Sequence, residues 1–333
     1  MTFTQLRYLV AIADAGLNIT LAAERVHATQ PGLSKLLRQL EDELGFQLFH
    51  RKGRSLHAIT HAGTQVLERA RTILAEAENI RSTAANLRNE SHGTLRIATT
   101  HTQARFVLPG AIAALNRSYP QVSVHLQPVG DADVISLLDG GQVDLAIVST
   151  TSDMSPPNGI ALPAYRWNRI VLVPRQHPLA RQKQPVTLER LAMHPLISYD
   201  SSLKPESSLG RAFQAAGLQP QIAMTASDAD LIKTYVREGL GIGVLAEMAF
   251  QPELDTDLRR LDIDHLFAPC TAWIVLRRES VLREYMLDFI GVFAPHLERR
   301  MVSRVLAAND AAPPWSDAPH WRERQALHKA AER

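Results

Sequence analysis

From residue 60 to residue 87 the sequence contains no proline and a single glycine, Gly63, close to its start, so it reads as one long helix. Along it Val66, Ala70, Ile73, Ala77, Ile80, Ala84 and Leu87 recur at alternating spacings of four and three, a strict heptad seam. A seam this narrow suits a partner helix better than a globular core. Its alternation of large and small side chains lets an antiparallel copy interdigitate. Homodimerisation is the inference. The competing reading is that the stripe docks on its own domain, because such stripes also bury against globular surfaces.

The 333 residues exceed what one core organises, so two or more domains are expected. The formal net charge is only +2, so any affinity for a polyanion must come from a local basic patch rather than from the overall field. No charged amino terminus leads into an apolar run, and no apolar segment reaches membrane length, so a cytoplasmic protein without a membrane partner is expected. The single cysteine, Cys270, has no Cys or His partner at metal spacing and reads as a core filler rather than a redox sensor. No metal and no resident cofactor are expected.

Ahead of the long helix, Thr29 or Gln30 as cap, Pro31 at the first helical position and Gly45 as stop delimit a short helix. Leu33, Leu36, Leu37, Leu40 and Leu44 form its buried stripe. Gln30, Ser34, Lys35, Arg38 and Gln39 are left on the other face, and these side-chain types hydrogen-bond base edges and phosphates. Phe3, Leu6, Leu9, Val10 and Ala13 predict a preceding amphipathic helix. A shorter one spans residues 19–26, introduced by Asn18 or Thr20. The tight turn at residues 26–30 would hold the second and third helices at the angle that aims a recognition helix into the major groove. After Gly45, two short alternating segments within residues 46–59, joined at Lys52 and Gly53, predict a wing. Its Arg51, Lys52 and Arg54 would reach the phosphate backbone or minor groove. Singly, each of these charges is most simply a solvated surface group. Their combination in this order is far more specific.

The first sixty residues resemble the DNA-binding domain of the LysR-type transcriptional regulators. The resemblance rests on Ala22-Ala-Glu-Arg-Val-His-Ala-Thr-Gln-Pro-Gly-Leu-Ser-Lys35, followed by Leu40-Glu-Asp-Glu-Leu-Gly45 and Leu48-Phe-His-Arg51. It implies that Gln30, Pro31, Ser34 and Lys35 meet bases and that Arg38 and Arg54 meet phosphates.

Beyond a polar hinge at residues 89–93 the pattern changes. Residues 95–98, 122–127 and 145–149 are strand-like, separated by helical stretches at 104–117 and 132–138. A second set has strands at 170–173, 195–199, 222–225 and 243–246, with helices at 209–216 and 229–238. This is the rhythm of parallel βαβ units, and two such units in tandem invite a cleft between them. The family resemblance implies an effector domain like the periplasmic solute-binding proteins, crossed by the chain near residues 162–167 and 264–269. The expected architecture is an α/β effector domain of two Rossmann-like lobes (94–163 with 268–300, and 164–267). To it are added a winged helix-turn-helix domain (1–59), a linker helix for dimerisation (60–88), the hinge, and a partly disordered carboxy-terminal tail (301–333) in which Trp315 and Trp321 hint at docking.

The strand ending at Ala98 runs into Thr99-Thr-His-Thr-Gln-Ala-Arg105, a run of donors on a strand-to-helix turn that favours an anion. Ser149, at the end of the third strand, should converge on the same place. Simple helix capping, for which Thr102 is suited, is the plainer reading. Five adjacent donor-bearing residues exceed what a cap needs.

Here the chain resembles a subfamily, the CysB regulators of sulfur assimilation. The motifs are Thr99-Thr-His-Thr-Gln-Ala-Arg-Phe106, Tyr165-Arg-Trp-Asn-Arg169 and Ser227-Asp-Ala-Asp-Leu-Ile-Lys-Thr-Tyr-Val-Arg237, and the similarity runs to about Leu297. The resemblance implies a sulfate-type or related anion held by Thr100, Thr102 and Gln103. Ser149 stands in place of a threonine, and Trp167 lies at the cleft wall. Where the family has an aromatic, glycine-rich segment ending in an anion-binding threonine, this chain has Tyr199-Asp-Ser-Ser-Leu-Lys-Pro-Glu206. Lys204 falls at the threonine position, with Ser202 as an alternative donor. Asp200 could offset the lysine or bind an amine.

His101 reads as an orienting or packed side chain rather than a ligand. Asp228 and Asp230 read as helix-start charges rather than an acid/base pair. Gly239, Gly241 and Gly243 follow a helix and precede a strand, the reverse of a dinucleotide fingerprint. The expectation is a homodimeric, by resemblance tetrameric, DNA-binding regulator controlled by a small anionic effector. Its other partners would be double-stranded promoter DNA and RNA polymerase. A LysR-type regulator with a carboxylate effector, and a solute-binding transport component, are the alternatives. No nucleophile-base pair, metal cluster or phosphate loop supports an enzyme.

Overall fold

The computed structural model describes residues 1–53, 55–151, 155–156, 159–182, 184–278, 280–308 and 318–324. The chain forms two compact units, Met1–Glu90 and Ser91–Arg333, each with its own core. Among the described residues no helix is long and apolar enough to cross a membrane.

The first unit begins with helix α1 (Phe3–Asp14), whose start is fixed by a capping box between Thr2 and Gln5. Helix α2 (Ile19–Arg25) is capped by Asn18, and α3 (Gln30–Leu44) by Thr29, which accepts from the Gly32 amide at 3.3 Å. Gly45 ends α3 in the left-handed conformation, as its sequence position predicts. Strands β1 (Phe49–Lys52) and β2 (Ser55–Ile59) form the antiparallel wing, and α4 (His61–Leu87) follows. Leu9 and Ile12 of α1, Ala22 and Ala23 of α2, Leu33, Leu37 and Leu40 of α3, and Leu48, Phe49 and Leu56 around the wing share one core.

Helix α4 divides its apolar residues. Leu67 and Ala70 are buried in the same core, with Val66 and Leu74 packed against it, so the start of the helix docks on its own domain. Farther along, Ile80 and Leu87 are 65% and 80% exposed. The own-domain reading thus describes the start of the helix. The seam's distal positions are what this chain leaves uncovered.

The second unit holds two five-stranded sheets. The first lobe is built from β3 (Gly93–Thr99), α5 (His101–Phe106), α6 (Leu108–Ser118), β4 (Val122–Pro128), α7 (Asp131–Asp139), β5 (Leu145–Thr151) and β6 (Ile160–Trp167). The second comprises β7 (Arg169–Pro174), α8 (Leu188–Ala192), β8 (Leu196–Tyr199), α9 (Ser208–Ala215), β9 (Ile222–Ala226), α10 (Ala229–Arg237), β10 (Ile242–Ala246) and β11 (Leu258–Asp262). The chain then returns to the first lobe as β12 (Cys270–Leu276), α11 (Glu284–Phe293) and α12 (Arg299–Ala308). The sheet orders are β4-β3-β5-β12-β6 and β11-β7-β10-β8-β9.

Three expectations change. The sheets are mixed rather than purely parallel: β3, β4 and β5 run parallel, but β12 is antiparallel to both β5 and β6. In the second lobe β7 is likewise antiparallel to β10 and β11. The helix read over 104–117 is two helices broken at Val107, because Pro109 supplies no amide and fits only the first turn of a new helix. The lobe boundary lies not at residues 163 and 164 but at Asn168, since β6 pairs with β12 through Trp167 and β7 pairs with β10 from Arg169. The tail expectation for Trp315 falls outside the described residues.

Half-buried His296 donates from Nε2 to the Pro163 carbonyl at 3.0 Å. Burial pulls its pKa below the usual 6.5, opposed by the Pro163 carbonyl and helped by Arg324. The unfolded chain therefore takes up the proton first as pH falls, and the stability His296 contributes is present above pH 6.5 and lost below it. Thermal unfolding of the full chain between pH 7 and 5 should show this decline, and His296→Gln should flatten it.

Candidate functional site

In the first unit, α3 is aimed by a turn in which His27 adopts a left-handed φ of 52°. Gln30, Pro31, Lys35 and Arg38 are exposed on α3, and Ser34 is half-buried beside them, with Gln30 Nε2 donating to Ser34 Oγ at 3.4 Å. The predicted contact set therefore forms one surface at the start of this helix. Arg51 does not join it. Its guanidinium donates to Glu41 Oε2 at 2.6 Å, while Glu41 Oε1 accepts from the Leu48 amide at 2.9 Å. Glu41, near the end of α3 and only 7% exposed, pins the wing's first strand to the recognition helix. Arg51 thus supports the wing through Glu41, while the neighbouring Lys52 is exposed. Arg54 lies outside the described residues.

In the second unit, a cavity of about 760 Å³ lies between the lobes, lined by Thr100, Thr102, Gln103, Ser149, Trp167, Arg169, Tyr199 and Lys204 among others. The capping reading of the donor turn fails. Thr100 occupies the N-cap position of α5 without a side-chain cap bond, and Thr102 Oγ1 donates instead to the Tyr199 hydroxyl at 3.2 Å. That hydroxyl also accepts from the Ala246 amide at 3.3 Å, which leaves its own proton available to the cavity. Burial raises the Tyr199 pKa, so it is a neutral donor at physiological pH.

Gln103 is buried and bridges two partners. Its Oε1 accepts from the Tyr165 hydroxyl, which fixes the amide's orientation, and its Nε2 faces Ser149 Oγ at 3.4 Å. Ser149 Oγ also accepts from Trp167 Nε1 at 3.2 Å. With two donors aimed at its oxygen, the Ser149 proton is free to point into the cavity.

Sequence reasoning missed the strongest group. Arg169 is 7% exposed, and its Nε donates to Ser208 Oγ at 2.7 Å and its Nη1 to Ser202 Oγ at 2.9 Å. Its guanidinium lies 5.8 Å from the Trp167 ring centroid. No carboxylate is hydrogen-bonded to it among the described residues. Neutral hydroxyls orient the charge without cancelling it, so a positive field extends into a low-dielectric cavity. The available signal was its place at the end of the Tyr165–Arg169 motif, just before the strand expected at 170–173.

The alternative residue at the 199–206 segment separates cleanly from the first choice. Ser202 is fully buried behind Arg169 and does not line the cavity; it supports the guanidinium. Lys204 lines the cavity and is exposed. Asp131 and Asp200 line it too, so its walls carry both signs. Cys270 is buried against Ser208, 3.6 Å away, and burial raises its pKa with Arg169 opposing. It stays a thiol at neutral pH, consistent with a packing role. Asp228 caps α10 through the Leu231 amide at 2.9 Å, as a helix-start charge should.

A winged three-helix unit followed by two α/β lobes around a cavity with convergent polar groups defines a DNA-binding regulator with a small-molecule sensing domain. The comparisons make the class specific. Residues 3–64 match the bacterial regulatory helix-turn-helix protein of the lysR family, and residues 88–298 match the LysR substrate binding domain. The chain belongs to the LysR family of transcriptional regulators, which are not enzymes. It is 43% identical over 310 residues to the HTH-type transcriptional regulator CysB of Haemophilus influenzae, covering 93% of this chain and 95% of the relative. It is 38% identical over 306 residues to the HTH-type transcriptional regulator SsuR of Burkholderia cenocepacia, covering 92% and 99%. The crystal structure of the cofactor-binding domain of the Cbl transcriptional regulator superimposes with a TM-score of 0.60 at 37% identity, covering 65% of this chain and 94% of that one.

Proposed function

We propose that this regulator senses a small oxyanion of sulfur, sulfate or a sulfonate, and controls genes of sulfur assimilation or sulfonate use. The observation that carries the reading is Arg169, a buried guanidinium held by neutral hydroxyls at the wall of a cavity into which Ser149 and Tyr199 can also donate. Tetrahedral oxyanions match several convergent donors and a fixed charge. The likeness to CysB, SsuR and Cbl supports the sulfur assignment. Thr100 and Lys204 complete the donor set, whereas Gln103 acts through Ser149. Asp131 and Asp200 favour a second reading, in which the anion also bears an amine.

In this reading the protein acts as a homodimer or homotetramer in the cytoplasm, paired through the exposed distal half of α4, and engages promoter DNA and RNA polymerase. Gln30 and Ser34, with Pro31 and Lys35, read base edges, and Arg38 and Lys52 hold phosphates. The effector biases lobe closure only if it binds one arrangement better than the other.

Calorimetric titration of the full chain with sulfate, thiosulfate, an alkylsulfonate, an aminosulfonate and a carboxylate of similar size tests the effector. Sulfur oxyanions should bind at least about tenfold more tightly than the carboxylate. Lys204→Thr should weaken them severalfold without abolishing binding. If no sulfur compound bound, the sulfur assignment would be abandoned. On DNA, Gln30→Ala and Ser34→Ala should each relax sequence preference by about 1–3 kcal/mol, while Arg38→Ala should weaken binding to all sequences alike. Unchanged footprints in all three would remove the contact assignment.

A further inference from the structure

The chain crosses from the first lobe to the second at a single residue, Asn168, and both of its main-chain groups are held by Glu247. The Asn168 amide donates to Glu247 Oε1 at 2.9 Å, and the Glu247 amide donates to the Asn168 carbonyl at 3.1 Å. The Glu247 side chain is fully buried, and a buried carboxylate needs compensation. Much of it comes from far along the chain. Arg322 Nε lies 3.2 Å from Glu247 Oε2 and His320 Nε2 lies 3.1 Å from Oε1, with Arg260 adding a longer contact at 3.5 Å. Arg322 also reaches Asp262 of the second lobe at 3.3 Å.

The same segment grips the first lobe. The Arg166 amide donates to the Pro319 carbonyl at 2.9 Å and Arg166 Nε to the Ala318 carbonyl at 3.0 Å, next to a parallel bridge between Arg166 and His320. Residues 321–324 make one helical turn. Trp321 packs on Tyr165 with ring centroids 5.3 Å apart. Arg324, 3% exposed, donates to the Phe293 carbonyl at 2.9 Å, and its guanidinium sits among the rings of Tyr165, Phe293 and Trp321. Tyr165 is the residue whose hydroxyl orients Gln103 toward Ser149.

We infer that residues 318–324 form a strap that positions the sensing cavity. Trp321 and Arg324 hold Tyr165, and through it Gln103 and Ser149, while Arg322 offsets the charge of the carboxylate that clamps the crossover. The segment is remote in sequence from every cavity residue, and none of its described residues lines the cavity. It joins both lobes at the point where their relative motion must be absorbed. Its effect on effector affinity rests on the anion-sensing reading; its effect on the crossover does not.

Hydrogen exchange read by mass spectrometry on the full chain, and on a chain ending at residue 317, tests the strap. Peptides covering Asn168 and Glu247 should exchange at least about tenfold faster in the shortened chain, while those in β3, β5 and β8 keep their rates. Arg324→Met, Trp321→Ser and Glu247→Gln retain the segment and carry the same expectation at the crossover if the shortened chain unfolds. Trp321→Phe should restore protection, which a purely global loss of stability would not distinguish by position. Sulfate affinity should fall roughly three- to tenfold in the same variants. Unchanged exchange at Asn168 and Glu247 in all of them overturns the strap, whether or not sulfate binds. Faster exchange in a protein whose wild type ignores sulfate sustains the strap and removes the anion reading alone.

Discussion

Arg169→Met should reduce affinity for a sulfur oxyanion by roughly 100-fold or more, the equivalent of losing about 3–5 kcal/mol from a buried charge interaction. The ligand-free protein should lose little stability. Among the described residues the guanidinium has hydrogen bonds to Ser202 and Ser208 but to no carboxylate, and removing a buried, uncompensated charge relieves a desolvation cost that offsets two lost hydrogen bonds. The pairing of results is what discriminates. A residue that only supported the lobe would lower the unfolding temperature and the affinity together. Calorimetric titration beside thermal unfolding of the same samples separates the two, and retention of full affinity would exclude Arg169 as the anion's main partner.

The second large effect is expected at Gly63, in the first turn of α4. A Cβ there would lie 2.0 Å from the Leu48 carbonyl oxygen and 3.0 Å from Ile59 Cγ2. That carbonyl is fixed, because it accepts from the Thr60 amide at 3.0 Å. Helix propensity alone favours Gly63→Ala by about 1 kcal/mol, whereas forcing backbone from backbone costs about 1–3 kcal/mol or more. Geometry decides the sign: the variant should be destabilised, with the wing displaced from α3. Urea unfolding of the first unit's signal, followed with a footprint on any cognate site, would register both. A stabilised variant would show that α4 does not need this close approach.

What the sequence made legible was local. The cap, proline and glycine that bound α3 lie within a few residues of one another, and each acts through its own backbone preference. The donor turn at Thr100 was visible for the same reason, since a strand ends and a helix begins within three residues. Arg169 was not. Its meaning depends on Ser202 and Ser208, more than thirty residues away, and on the lack of a carboxylate, neither of which leaves a periodic trace. The ion pair of Arg51 was hidden on similar grounds. Its spacing from Glu41 shows nothing until the wing folds back against α3 and brings the two within 2.6 Å. Strands β6 and β12 escaped because a fully buried strand has no alternation to read, and their pairing spans about a hundred residues of intervening chain. The strap was hinted at only by Trp321.

That long pairing has a consequence for biosynthesis. Strand β12 lies in the middle of the first lobe's sheet, between β5 and β6, yet the whole second lobe is translated before it. At about 5–20 residues per second, a detour of about 100 residues leaves β5 and β6 with open edges for roughly 5–20 s after they leave the ribosome. The second lobe, contiguous from β7 to β11, can finish first. Nascent chains of this regulator should therefore pass through an order in which the lobe that begins earlier is completed last, and that waiting interval is when they are most exposed to aggregation and most in need of chaperones.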